Sequence, residues 1–165
     1  MVIRDKASVK INHPLPHMVL TGNMVLINKE LIEQIKAHGE KTYPNECGGM
    51  LVGRFEDGSK TVFELLPMEN AMAEAEQHNR VLISPKDVMR AERYAREKRL
   101  DVVGYYHSHP DCAAIPSQFD LDHALPVWTY IIVSVEGGKA VNLLAWEMEN
   151  DRSKFNEEEV RKEEV

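Results

Sequence analysis

Two histidines one residue apart, His107 and His109, close the apolar run Val102-Val103-Gly104-Tyr105-Tyr106. Such a run reads as a β-strand. Alternation along a strand puts both imidazoles on one face, roughly 6–7 Å apart at Cα, and turns Ser108 to the other face. Pro110 follows at once and cannot donate to a sheet ladder, so the strand is predicted to end there and the chain to turn back. Asp120 then becomes a candidate third ligand. Two histidines and a carboxylate with an open fourth position form the pattern of a catalytic zinc site. Plainer readings stand beside this one. Ser117 and Asp120, three residues apart, can be a helix N-cap and its reciprocal acid. Glu46 stands in a polar turn, where acids are common.

The elements that must hold these residues follow from local patterning. A first strand is predicted over 18–27, with Asn28 as the N-cap of a helix running to about Gly39. Ile27 and Ile32 occupy staple positions, and Leu31, Ile32 and Ile35 form an apolar stripe. His38 lies at the margin of that stripe as a packing or surface residue. A turn-rich stretch, Thr42 to Gly49, leads to a second strand over 50–55. Asp57-Gly58 turns it into a third over 61–66. After a polar connection over 68–80 that carries His78, a short strand is predicted at Val81-Leu82-Ile83. Ser84-Pro85 then opens a helix to about Arg99. The histidine strand is followed by a short helix from Ser117, a strand over 128–135, the Gly137-Gly138 turn and a strand over 140–146. Strands interleaved with three helices predict an α/β or α+β fold with a mixed sheet flanked by helices. Residues 1–17 are expected to be an extended or disordered lead-in to one domain over 18–149. The charged stretch 150–165 is expected to be a solvated tail, either a short helix capped at Asn156 or disordered.

The chain has 165 residues and a formal net charge of −7, which argues against a general nucleic-acid binder. No run approaches the ~18 apolar residues of a membrane helix, and no signal-peptide core is visible, so a cytoplasmic protein is expected. The two cysteines, Cys47 and Cys112, form no CxxC pair, so histidine and carboxylate must hold most of any metal. Cys112 lies between the two metal-binding segments and could line the mouth of the site. Cys47 reads as a small buried hydrophobe. His123, three residues after Asp120, shares its helical face and is a candidate to replace or support it.

In this order, Glu46 before a Gly-rich strand, His107-Ser108-His109, seven intervening residues and Ser117-Gln118-Phe119-Asp120 resemble the JAMM metalloprotease pattern of catalytic MPN domains. The resemblance runs from about Met24 to Trp146. Tyr43-Pro44-Asn45-Glu46-Cys47-Gly48-Gly49 and His109-Pro110-Asp111-Cys112 look like its compact bacterial branch, which processes ubiquitin-like sulfur-carrier proteins. What the resemblance implies is one Zn²⁺ per chain on His107, His109 and Asp120, with Glu46 as general base and then acid. Ser117 would be the hydrogen-bond donor to the water or the oxyanion, and Ser108 a brace. The implied substrate is a ubiquitin-like carrier ending in Gly-Gly, cut after its last glycine with release of cysteine or of a short extension. Its tail could enter by adding to a sheet edge, and a homodimer is compatible with the family. Only seven residues separate Asp120 from Trp128, which leaves no room for the insertion that chain-specific deubiquitinases carry. The alternative from another class is a non-catalytic MPN scaffold that only binds partners.

Overall fold

The computed structural model describes residues 24–56 and 58–163. The lead-in over 1–17 and the first six residues of the predicted first strand lie outside them. Each α-helix begins at a residue whose side chain accepts a backbone N–H, which satisfies a donor that the first turn leaves orphaned. Asn28 caps α1 (Lys29–Thr42), Ser84 caps α2 (Pro85–Glu97) and Ser117 caps α3 (Gln118–His123). The strands are β1 (Met24–Asn28), β2 (Gly48–Glu56), β3 (Ser59–Met68), β4 (Asp101–Pro110), β5 (Thr129–Glu136), β6 (Lys139–Met148) and β7 (Phe155–Glu163). Gly58 adopts φ +74° in the β2–β3 turn, a conformation an Asp-Gly hairpin supplies cheaply.

The sheet curls into a closed barrel in the order β1-β3-β2-β4-β5-β6-β7, with β7 returning to β1. Pairings β1–β3, β1–β7 and β4–β5 are parallel and the others antiparallel, so the fold is α+β with a mixed sheet. The buried side chains divide into clusters. One joins Leu31, Ile32 and Ile35 of α1 to Val25, Leu51, Val103, Tyr106, Ile131 and Val133. Another sets Ala91 and Ala95 of α2 against Met50, Val52 and Val102. Alternation along β4 sends Tyr106 toward α1 and Tyr105 toward α2, and an irregularity at Val103, between the pairs Leu51–Gly104 and Val52–Val102, resets the phase so that Val102 also faces α2.

Two expectations change. The expected solvated helix or disordered tail over 150–165 gives way at Phe155–Glu163 to β7, which pairs with β6 on one side and β1 on the other. Its charged sequence hides a period of two: Glu158 is buried and Val160 packs on the core, while Glu157 and Glu159 are exposed. Tertiary pairing overrides a composition that disfavours strands. The buried Glu158 is paid for by Lys60 of β3, whose ammonium bonds Glu158 at 2.8 Å and also Glu147 of β6. Val81-Leu82-Ile83 is not a strand. It runs as a loop in which the Leu82 carbonyl accepts from the Ala71 N–H and the Leu82 N–H donates to Asn70 Oδ1. Closure is partial along the strands: β1 covers β3 only over Ser59–Val62 and β7 covers β6 only over Ala145–Met148, so among the described residues the far ends of β3 and β6 keep one open edge. Among the described residues, no helix is long and apolar enough to cross a membrane.

Candidate metal centre and cleft

The site is assembled where β2 and β4 run antiparallel. Gly48 pairs with His107, and the same register continued sets Cys47 against Ser108 and Glu46 against His109. Residues directly opposed across an antiparallel pair share a face. Glu46, His107 and His109 consequently point one way, and Ser108 points the other, against α1. The pairing is held at its end by Ser108 itself. Its N–H donates to the Cys47 carbonyl at 3.1 Å, and its hydroxyl accepts from the Cys47 N–H at 2.9 Å. Ser108→Ala would strand that buried N–H, at a cost of about 1–3 kcal/mol. Urea unfolding of the variant measures the loss, and an unchanged midpoint would remove Ser108 as the brace.

His107, His109 and Asp120 each offer an atom to a group whose members all lie within 4.8 Å of one another. His107 Nε2 stands 3.0 Å from His109 Nε2 and 3.1 Å from Asp120 Oδ1, and His109 Nε2 is 3.6 Å from Asp120 Oδ2. Tetrahedral zinc with Zn–N bonds of 2.0–2.1 Å needs its two nitrogens roughly 3.3 Å apart. His109 Nδ1 lies 2.9 Å from the Ala113 carbonyl, which can only accept, so Nδ1 carries a proton and Nε2 is the nitrogen turned to the group. The donor set thus fits a divalent cation of zinc's preferences. His107 is fully buried and its ring stacks on Tyr105, with centroids 5.3 Å apart.

Electrostatics separates the two carboxylates. Burial would raise the Asp120 carboxyl, but the adjacent His107 and His109 and the Ser117 hydroxyl hold it well below the usual carboxylate range. Burial raises the Glu46 carboxyl, with His107 and His109 pulling only partly against it. The two neighbouring acids are therefore driven apart, Asp120 toward its ionised form and Glu46 toward its protonated one. Burial lowers the His109 imidazole, yet the Asp120 carboxylate and the Ala113 carbonyl bring it above its ordinary value.

The remaining sequence candidates divide. Ser117 N–H and hydroxyl both reach Asp120 Oδ2 at 2.6 Å, and its oxygen accepts from the Asp120 N–H, so a complete capping box fixes the carboxylate's approach. His123 is exposed, bonds the Phe119 carbonyl through Nδ1 at 2.8 Å and stacks on the Phe119 ring; it stands outside the convergent group. Cys112 is exposed and contributes its carbonyl to the Ser134 hydroxyl. Cys47 is buried, and burial pushes its thiol up.

Sequence reasoning did not find the Ala113 carbonyl, because a backbone acceptor leaves no residue-type signal. Nor did it use Tyr105, although its spacing two residues before His107 already put the two rings on one face. His38 is half-buried, with Nδ1 2.9 Å from the Tyr106 hydroxyl. An apolar pocket of about 210 Å³ adjoins Asp120 and His123. Its walls include Met50, Val88, Tyr105 and Trp128, and the 81–83 loop forms one side.

This arrangement can be set against known proteins. A probable TtuB-protein conjugate cleaving protease of Thermus thermophilus is 27% identical over 119 residues, which cover 72% of this chain and 76% of that protein. The desampylase of Haloferax volcanii is 30% identical over 95 residues, 57% of this chain and 66% of that one. The solution structure of protein DSY2949 from Desulfitobacterium hafniense superposes with a TM-score of 0.74 at 27% identity, covering 86% of this chain and 94% of that one. The family model for prokaryotic homologs of the JAB domain matches residues 28–149, from the cap of α1 past the end of β6, and the chain belongs to that family.

Proposed function

We propose that this protein is a zinc-dependent peptidase or isopeptidase that hydrolyses the bond after the C-terminal glycine of a ubiquitin-like protein, with a sulfur carrier bearing a terminal cysteine as the favoured substrate. The observation that carries the reading is the convergence of His107, His109 and Asp120 beside the buried Glu46 on one face of β2 and β4. Two relatives named for cleaving protein conjugates support the substrate class.

His107 and His109 would hold Zn²⁺ through Nε2 and Asp120 through its carboxylate. When bound, the ion supplies a Lewis acid that polarises the scissile carbonyl and acidifies water. Glu46 takes a proton from the attacking water and returns it to the departing amine as the C–N bond breaks, so one water is consumed and no other reactant is needed. The Ser117 hydroxyl, which now donates to Asp120, is close enough to the ligand set to turn toward the oxyanion. Two glycines present no side chain, which lets the tail pass the crowded face formed by His107, His109 and Tyr105. The adjoining apolar pocket then suits a hydrophobic side chain upstream of the glycines.

Incubation with carrier fusions ending in Gly-Gly-Cys, or in Gly-Gly plus a short extension, followed by intact-mass measurement, tests the reading. A product ending at Gly-Gly is expected with zinc and none after chelation. A purified chain that neither contains zinc nor takes it up would overturn the proposal in favour of a non-catalytic scaffold. The filled ligand set argues against that scaffold reading.

A further inference from the structure

Immediately after β4 the chain turns through residues 111–114, and each of these residues is tied to a different part of the barrel. Asp111 starts the turn at φ +52°, a left-handed conformation that Asp and Asn tolerate better than most residues. Its N–H donates to the Val135 carbonyl at 2.8 Å. Its two carboxylate oxygens accept separately from the Gly137 N–H and the Tyr43 hydroxyl, each at 2.8 Å. The turn is thereby anchored to the end of α1, the end of β5 and the β5–β6 turn. The next three carbonyls are each taken by a side chain from another strand: Cys112 by Ser134 of β5 at 2.5 Å, Ala113 by His109 of β4 at 2.9 Å, and Ala114 by the Trp146 indole of β6 at 2.9 Å. With the peptides on either side pinned, the Ala113 carbonyl has little freedom to rotate away from the ring.

We propose that the 111–114 turn, anchored by Asp111, is a positioning device that locks His109 in its Nδ1–H tautomer and so keeps the Nε2 lone pair aimed into the metal centre. A neutral imidazole can carry its proton on either nitrogen, and the partner of one nitrogen decides which. Were the Ala113 carbonyl to swing out, the proton could move to Nε2 and block the nitrogen that faces His107 and Asp120. Asp111 touches neither ligand nor substrate in this role. Its consequence for zinc affinity rests on the metal reading, whereas its effect on the tautomer does not.

The test uses the full chain, metal-free and labelled with ¹⁵N-histidine, at about pH 9, where imidazole is neutral. Two-bond ¹H–¹⁵N correlations identify the tautomer of each ring. Asp111→Gly accepts the left-handed backbone but lacks the carboxylate. It is expected to show a mixture of tautomers at His109 and about 10–100-fold weaker zinc binding in chelator competition. Asp111→Asn is expected to restore the single tautomer, because the amide can accept from Gly137 and donate to the Tyr43 oxygen. Tyr43→Phe removes only one tie and should fall between, which keeps the question decidable if the glycine variant does not fold. Loss of stability with an unchanged His109 tautomer would overturn the proposal. If the chain bound no zinc at all, the tautomer readout would still decide it.

Discussion

Glu46→Gln is expected to retain zinc at wild-type stoichiometry while turnover on a Gly-Gly-tailed carrier fusion falls about 10²–10⁴-fold. Glutamine preserves the size and shape of the side chain, so the β2–β4 register and the arrangement of His107, His109 and Asp120 are expected to stay as they are. What it cannot do is accept a proton. Glu46 is only 7% exposed, and that burial raises its carboxyl above the ordinary glutamate value. A base raised in this way loses its ionised form as the pH falls through that raised value, so wild-type kcat/KM should drop on the acid side earlier than an exposed glutamate would dictate. The Gln variant should lack that limb. Asp120→Ala provides the contrast, because it should lose zinc and turnover together. Wild-type turnover in the Gln variant would remove Glu46 from the chemistry.

The second large effect lies on the other side of the barrel. Lys60→Met is expected to destabilise the fold by roughly 3–5 kcal/mol, the range for breaking a buried ion pair and leaving one charge behind. Lys60 is 6% exposed and Glu158 2%. Glu147, also bonded to Lys60, is the more exposed of its two acids and can recover water. The pH dependence has a definite sign. Burial raises the Glu158 carboxyl, with Lys60 opposing, so the native state holds this proton more tightly than the unfolded chain does. Stability contributed by that proton is present at low pH and is lost as pH rises through the raised native value. Removing Lys60 raises that value further, so the penalty of Lys60→Met should be greatest near neutrality and shrink in acid. Denaturant unfolding at several pH values measures it, and Lys60→Met combined with Glu158→Leu should recover most of the loss. A pH-independent penalty would mean that Lys60 acts through packing alone.

What could be read from the sequence is what local chemistry encodes. The caps at Asn28, Ser84 and Ser117 are written in single residues, and the structure has each of them accepting a backbone N–H. The Asp-Gly hairpin and the alternation that puts His107 and His109 on one face are equally local. The convergence of Asp120 on them required only that the chain turn back after Pro110. What could not be read depends on partners distant in sequence. β7 is a strand because β1 and β6 flank it and Lys60 meets Glu158, none of which its own composition announces. Residues 81–83 have strand-like side chains, but Asn70 and Ala71 engage Leu82 in a loop instead. Ser117 carried both a capping and a catalytic reading. The structure has it in a capping box with Asp120, whose carboxylate joins the group of His107 and His109.

In the circular order of the barrel, β4 lies farthest from the seam where β7 meets β1. The two ends of the described chain are thus neighbours on the wall opposite the histidines. Lys60 and Glu158 tie β3 to β7 across that seam, whereas the pairing of β2 with β4 sets the histidine group, so the two arcs of one ring are held by different contacts. A substitution at the seam is therefore expected to reach the histidine strand through the stability of the whole barrel and not through the geometry of the His107–His109–Asp120 group.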